Sequence, residues 1–269
     1  MSNNRTIVIG DIHGCSTALL GLFDAVQPSS NDELIFLGDY VDRGPDSKGV
    51  LELLIECQRK HLARFLMGNH EIMFRGVLRG LPSELWLEIG GRPTLTSYGG
   101  SLDYVPADHQ EFLSTLLPYY EMAQHMFVHA NYLPELSLSQ TPEHTLYWEH
   151  LTDRFPGPHF SGKHVFCGHT PQEGGKVGYF GHLTCLDTFC FGGFYLTALD
   201  VSSGQIWQVT KRGHVRKNWQ WLEAVKAKLQ PLMGFGGSIA TGSSSSGPSP
   251  DVLSHGPESD FSPGDASNP

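Results

Sequence analysis

Thr6-Ile7-Val8-Ile9-Gly10-Asp11-Ile12-His13-Gly14 lies near the start of the chain, and two later stretches repeat its plan. They are Leu34-Ile35-Phe36-Leu37-Gly38-Asp39-Tyr40-Val41-Asp42-Arg43-Gly44 and Arg64-Phe65-Leu66-Met67-Gly68-Asn69-His70-Glu71. Each joins a short apolar run to a glycine-flanked turn that carries oxygen or nitrogen ligands. Delivering several side chains to one point from the ends of parallel strands requires this pattern.

Working outward, Thr17 to Val26 and Ser47 to Lys60 carry apolar residues at helical spacing and read as crossover helices between strands at Thr6 to Ile9, Leu34 to Leu37 and Arg64 to Met67. Glu71 to Tyr120 reads as mostly helical. After about Ser161 the pattern turns β-rich, with runs at His164 to Cys167, Lys176 to Phe180, His182 to Leu186, Tyr195 to Val201 and Gln205 to Thr210. A second sheet packed on the first buries both apolar faces, so the expected fold is α/β, a two-sheet sandwich flanked by helices. A last helix is expected around Trp219 to Leu229. One domain is expected over residues 1–232, followed by a Gly-, Ser- and Pro-rich acidic tail over 233–269 whose composition predicts disorder.

Bulk properties narrow the function. The formal charge of −10 argues against a nucleic-acid partner, which needs clustered Lys and Arg. No run approaches the roughly 20 apolar residues of a membrane span, and the N-terminus lacks an apolar signal region, so a cytoplasmic protein is expected. The five cysteines are scattered and never spaced as Cys-x-x-Cys, which predicts reduced thiols instead of disulfides or a zinc knuckle.

The turns themselves carry the chemistry. Asp11 and His13, two apart on a segment read as extended, point to the same side and can grip one ion. Asp39 can bridge two ions, and Asn69 offers a neutral carbonyl. His129, in Met126-Phe127-Val128-His129-Ala130, and His169, in Val165-Phe166-Cys167-Gly168-His169-Thr170, fill out the set. Oxygen and imidazole ligands suit two divalent ions: Mn²⁺ is favoured, and Fe or Zn²⁺ also fits. Such a pair, about 3.5–4 Å apart, lowers the pKa of a bridging water and clamps both oxygens of an in-line displacement. His70, read as the extended neighbour of Asn69, is expected beside the ions as a general acid, with Asp42 fixing its tautomer. Arg43 offers a planar fork to phosphate oxygens.

Gly-Asp-x-His-Gly, Gly-Asp-x-Val-Asp-Arg-Gly and Gly-Asn-His-Glu, with the later Val-His-Ala and Gly-His-Thr, resemble the phosphoprotein phosphatase branch of the calcineurin-like metallophosphoesterases over about Thr6 to Val201. The resemblance implies that Asp11, His13 and Asp39 hold one metal and that Asp39, Asn69, His129 and His169 hold the second. It also implies that His70 and Asp42 form the acid pair and that Arg43 clamps phosphate. Trp86 to Gly99 is similar to the helical insert of the bacterial and phage lambda-type phosphatases, which implies phosphoserine or phosphothreonine proteins or peptides as substrates. Dinucleoside tetraphosphate hydrolases share these motifs and are the alternative. In lambda-type enzymes a second phosphate-binding arginine follows the Trp that here is Trp148, and His150 or Arg154 is expected in its place. Ile89 stands where that group has Asn, and Phe189, Phe191 and Phe194 crowd a loop that is usually more polar.

Overall fold

The structure, a computed structural model, describes residues 4–216. The expected helix at Trp219 to Leu229 and the tail from 233 lie outside the described residues.

The first strands follow from alternation. In β1 (Thr6–Ile9) the side chains of Ile7 and Ile9 enter one apolar cluster while Val8 enters another, as the two faces of a doubly covered strand require. β2 (Glu33–Phe36) and β3 (Leu62–Phe65) pair with it in parallel through α1 (Ser16–Val26) and α2 (Ser47–Lys60). α2 starts on Asp46, whose side chain accepts the Gly49 N–H, and ends with Arg59 and Lys60, which complement the helix dipole. β3 begins and ends two residues earlier than the sequence pattern suggests; the Leu66 N–H still donates to Phe36 O, but the Met67 N–H turns to Leu117 O.

Beyond β3 come α3 (Asn69–Leu78), α4 (Glu84–Trp86), a π turn over Leu87–Gly91, α5 (Arg92–Ser97) and α6 (Ala107–Ser114). This agrees with the helical reading of the region. β4 (Tyr120–Glu121), β5 (His125–Phe127), α7 (Glu143–Tyr147), β6 (His164–Cys167), β7 (Gly178–Tyr179) and β8 (Leu183–Cys185) follow, and their strands form a second sheet ordered β4-β5-β6-β8-β7.

β9 (Tyr195–Asp200) and β10 (Ile206–Thr210) do not join that second sheet, although the run of strands after Ser161 suggests it. They return to the first, ordered β10-β9-β1-β2-β3, with β9 antiparallel to β1. The reason is burial. Leu196 and Ala198 fill the helix-covered face of the first sheet, while Leu199 lies in the layer between the sheets.

That middle layer joins Val8, Ile35, Leu37 and Leu66 of the first sheet to Phe127, Phe166 and Leu186 of the second. Met126, Val165 and Cys167 face the other way, toward Leu146 and Tyr147 of α7. Helix, sheet, sheet and helix therefore stack in order, as expected from the sequence. No helix among the described residues is long and apolar enough to cross a membrane.

Candidate active site

The parallel strands β1, β2, β3, β5, β6 and β8 release Asp11, Asp39, Asn69, His129, His169 and Asp187 just beyond their C-terminal ends, the usual crevice of an open α/β sheet. The turns bend sharply to converge. His13, Asp39, Asp42, Arg43 and His169 all have positive φ, at 45°, 52°, 70°, 64° and 62°. So many non-glycine residues in the left-handed region is a concentration of backbone strain of the kind that gathers at functional sites. His13 consequently sits inside a turn from Ile12 to Cys15, closed by the Cys15 N–H on Ile12 O at 3.2 Å, instead of on the extended segment expected from the sequence.

Glu71 holds the second turn. Its carboxylate accepts four backbone N–H groups, from Asp39, Tyr40, Val41 and Gly68, at 2.8–3.1 Å. Burial pushes its pKa up to about 7 despite those donors. Gly68 is required here, since a Cβ would lie 2.1 Å from Asp39 Oδ1.

The histidines are oriented by the backbone. Nδ1–H of His13 donates to the Val41 carbonyl at 3.0 Å, Nδ1–H of His129 to Leu37 at 2.8 Å, and Nε2–H of His169 to Trp148 at 3.1 Å. Each ring then turns its other nitrogen, as a lone pair, toward Asp39 or Asn69, the arrangement in which protein carbonyls fix metal-binding imidazoles. His13, Asp39 and His70 form one group, and Asp39, His129 and His169 another, with ligand atoms in each within 4.8 Å of one another. Asp39 belongs to both, as a bridging carboxylate must.

Two observations fit this cluster to divalent cations. The Asn69 amide oxygen faces His129 Nε2, both Asp39 oxygens and His169 Nδ1 at 3.2–3.3 Å, so five lone-pair atoms converge with no proton between them. Either a cation among the atoms or an amide turned over to donate its N–H₂ relieves such a gathering, and the cation also suits the unpartnered oxygens of Asp11 and Asp187. Asp11, buried beside it, gives one oxygen to the His169 N–H at 3.0 Å, while its other oxygen has no partner; Asp187 likewise keeps one oxygen free. Burial, with neighbouring carboxylates, raises Asp11 and Asp39 well above the usual range; burial alone brings Asp187 up to about 6. Burial also drives His13 and His129 well down and His169 down to about 3, which leaves neutral rings ready to ligate. Asp11, His13, Asp39, Asn69, His129 and His169 are thus all brought together.

Asn69 and His70 do not lie on an extended segment. They begin α3, where Glu71 closes the first turn by accepting the Gly68 N–H, and successive side chains of a helix diverge by about 100°. The two side chains diverge for this different reason, although His70 stays within ligand distance of His13 and Asp39. His70 Nδ1 meets Asp42 Oδ2 at 2.7 Å, and its Nε2 is buried without a partner. Arg43 reaches His13 Nε2 at 3.3 Å and lies 4.9 Å from the centre of the Phe191 ring, which also packs edge-on against His13.

The two candidates for a second clamp separate. His150 stacks on His169 with centroids 4.1 Å apart. Arg154 is engaged elsewhere: its guanidinium pairs with Glu149 and donates to Thr145, because the turn after α7 gives it a carboxylate of its own five residues back. In the sequence Glu71, Asp187 and Thr94 carry no assigned role, and Trp86 figures only as the start of the stretch similar to the helical insert. Glu71 directly follows Gly-Asn-His, and Asp187 follows a strand-like run, the same signal that marks Asp11 and Asp39.

Residues 5–199 match the family model for calcineurin-like phosphoesterases. A symmetrical bis(5'-nucleosyl)-tetraphosphatase of Janthinobacterium sp. is 33% identical over 143 residues, which cover 51% of this chain and 47% of that protein. Serine/threonine-protein phosphatase 1 of Salmonella typhimurium is 41% identical over 85 residues, 31% of this chain and 38% of that one. The chain thus spans about half the length, or less, of the curated relatives it matches. A solved structure described as a candidate diadenosine tetraphosphatase shares the fold, with a TM-score of 0.60 at 24% identity over 77% of this chain and 94% of that one.

Proposed function

Because this chain belongs to the calcineurin-like phosphoesterase family, we propose that it is a metal-dependent hydrolase that cleaves symmetrical dinucleoside tetraphosphates into two nucleoside diphosphates. The observation that carries the substrate class is Phe191, whose ring borders both the Arg43 fork and His13. A flat apolar surface beside a phosphate-binding cation suits a nucleobase attached to a polyphosphate better than a peptide backbone. The tetraphosphatases among the relatives support the same choice.

The residues present would hold two divalent ions, on Asp11, His13 and Asp39 and on Asp39, Asn69, His129 and His169. Bound there, such ions supply an acidic water and a Lewis-acid hold on phosphate oxygens. Arg43 binds the equatorial oxygens of the phosphate under attack, and His150 extends the wall beside His169. His70, fixed through Nδ1–H by Asp42, turns its free Nε2 toward the leaving oxygen; as the imidazolium, which the Asp42 carboxylate favours, it gives up the Nε2 proton there and is left as the neutral Nδ1–H ring. Phe191, with Phe189 edge-on behind it, would shield the bound nucleotide from water.

A second reading, a serine/threonine protein phosphatase, is favoured by the buried His70–Asp42 pair itself. An alkoxide leaving group needs a proton far more than a nucleoside diphosphate does. Side-by-side assays of the Mn²⁺-loaded chain on diadenosine tetraphosphate and a phosphoserine peptide test the choice. ADP as the sole nucleotide product is expected; phosphate released from the peptide alone would overturn it, and ATP with AMP would reject the symmetrical cut.

A further inference from the structure

We propose that Trp86 and Thr94, carried on the α4–α5 segment, are positioning residues that set the angle and tautomer of His70 by fixing Asp42, an inference that rests on His70 being the proton donor.

Asp42 is fully buried, and its carboxylate takes three side-chain donors. His70 Nδ1 meets Oδ2 at 2.7 Å, Trp86 Nε1 meets Oδ2 at 2.9 Å and Oδ1 at 3.1 Å, and Thr94 Oγ1 donates to Oδ1 at 2.7 Å. The indole alone straddles both oxygens, which fixes the carboxylate plane, and the plane decides where the imidazole it holds will point. The Asp42 N–H is held by the same segment, at 2.9 Å from Thr94 Oγ1, together with Ser47 Oγ at 3.0 Å; the two hydroxyls lie 2.7 Å apart. These bonds anchor a residue whose φ of 70° is unfavourable for aspartate.

Packing alone does not account for Trp86. Its ring stacks on Phe74, 5.4 Å away and inclined by 19°, and Phe74 stands one turn beyond His70 on α3. On the other side Gly91 leaves no room, since a Cβ there would come within 2.3 Å of the ring. A phenylalanine could fill most of this slot. It could not present an N–H to the carboxylate. The segment also touches the neighbouring clamp: the Arg43 N–H donates to Gly90 O at 2.9 Å, and a Cβ on Gly90, whose φ is 147°, would lie 2.8 Å from Arg43 Cγ. One short helical segment, 44 and 52 residues along the chain from Asp42, thus braces both the acid pair and the phosphate fork.

The test uses leaving groups. In the metal-loaded full chain, Trp86→Phe and Thr94→Val should each cut kcat about tenfold or more on phenyl phosphate, whose phenolate needs a proton, and only about twofold on 2,4-dinitrophenyl phosphate, with KM unchanged on both. His70→Asn serves as the reference and should show the same skew in larger measure. A variant that merely loses folded protein lowers both rates alike. Wild-type ratios in Trp86→Phe and Thr94→Val, beside a skewed ratio in His70→Asn, would overturn the positioning role while leaving the donor intact. A wild-type ratio in His70→Asn would instead reject the donor and this proposal with it. Nitrogen-15 NMR of the histidine rings in the Zn²⁺-loaded chain reads the same point without turnover. At a pH where the ring is neutral, His70 should keep its remaining proton on Nδ1 in the wild type and divide it between the two nitrogens in both variants; an undisturbed Nδ1–H would overturn the proposal.

Discussion

At the scale of single residues, protons at this site are placed by backbone carbonyls and one carboxylate. His13, His129 and His169 each spend one nitrogen on a carbonyl, whereas His70 spends its Nδ1 on Asp42. That difference separates the proposed ligands from the proposed acid. His70→Asn should therefore lower kcat on a phosphoserine peptide by about 10²–10⁴-fold and on diadenosine tetraphosphate by much less, while metal content measured by mass spectrometry stays unchanged. Equal losses on both substrates would count against a proton-donating role. Outside the site, Asp32 accepts Arg5 N, Nε and Nη2 and the Ser29 N–H. These bonds outweigh burial and hold its carboxyl below the usual range. Because the folded-state pKa lies below the unfolded one, the stability it contributes is complete above the ordinary aspartate pKa of about 3.9 and drains away as pH falls below that value. Asp32→Asn should cost about 1–3 kcal/mol at pH 7 and lessen acid sensitivity below pH 4, as read from urea midpoints across pH.

At the scale of elements, Glu71 ties the exit of β2 to the start of α3 through the four N–H groups its carboxylate accepts. Glu71→Gln places an amide N–H₂ against backbone donors and should destabilise the chain by about 2–3 kcal/mol, with weakened metal binding; a thermal midpoint within a degree of wild type would contradict this. The sequence reveals Asp39 and Asn69 because a ligand on a glycine turn after an apolar run has a recognisable local form. Glu71 three residues after Gly68 is a local signal of a helix start, but its bond to the Asp39 N–H, 32 residues away, is one that no local pattern encodes. Trp86 and Thr94 escape for the same reason, their carboxylate being far along the chain. Arg154 looks available in sequence, and the geometry of the turn after α7 is what delivers it to Glu149. The return of β9 and β10 to the first sheet is equally nonlocal, because their alternation fits either sheet and only the apolar layer that needs filling decides between them.

At the scale of the whole molecule, the cluster collects side chains from both sheets, and like charges there await a counter-charge. Asp11, Asp39 and Asp187 are all buried and all raised. Divalent metal should therefore act as a structural brace as well as a reagent. At a free concentration a hundredfold above Kd it adds about 2.7 kcal/mol, which for a domain of this size raises Tm by roughly 5–10 °C. Differential scanning calorimetry of the chelated chain with and without Mn²⁺ checks this, and identical curves would show that the cluster binds no metal. The bond from the His169 N–H to Asp11 spans 158 residues and closes the seam between the sheets. On a ribosome adding roughly 5–20 residues per second, Asp11 is made some 8–30 s before its partner. Translation thus imposes its own timetable: a nascent chain has the first half of its ion cage long before the second, and a ribosome stalled before residue 169 displays an acidic turn that cannot yet close.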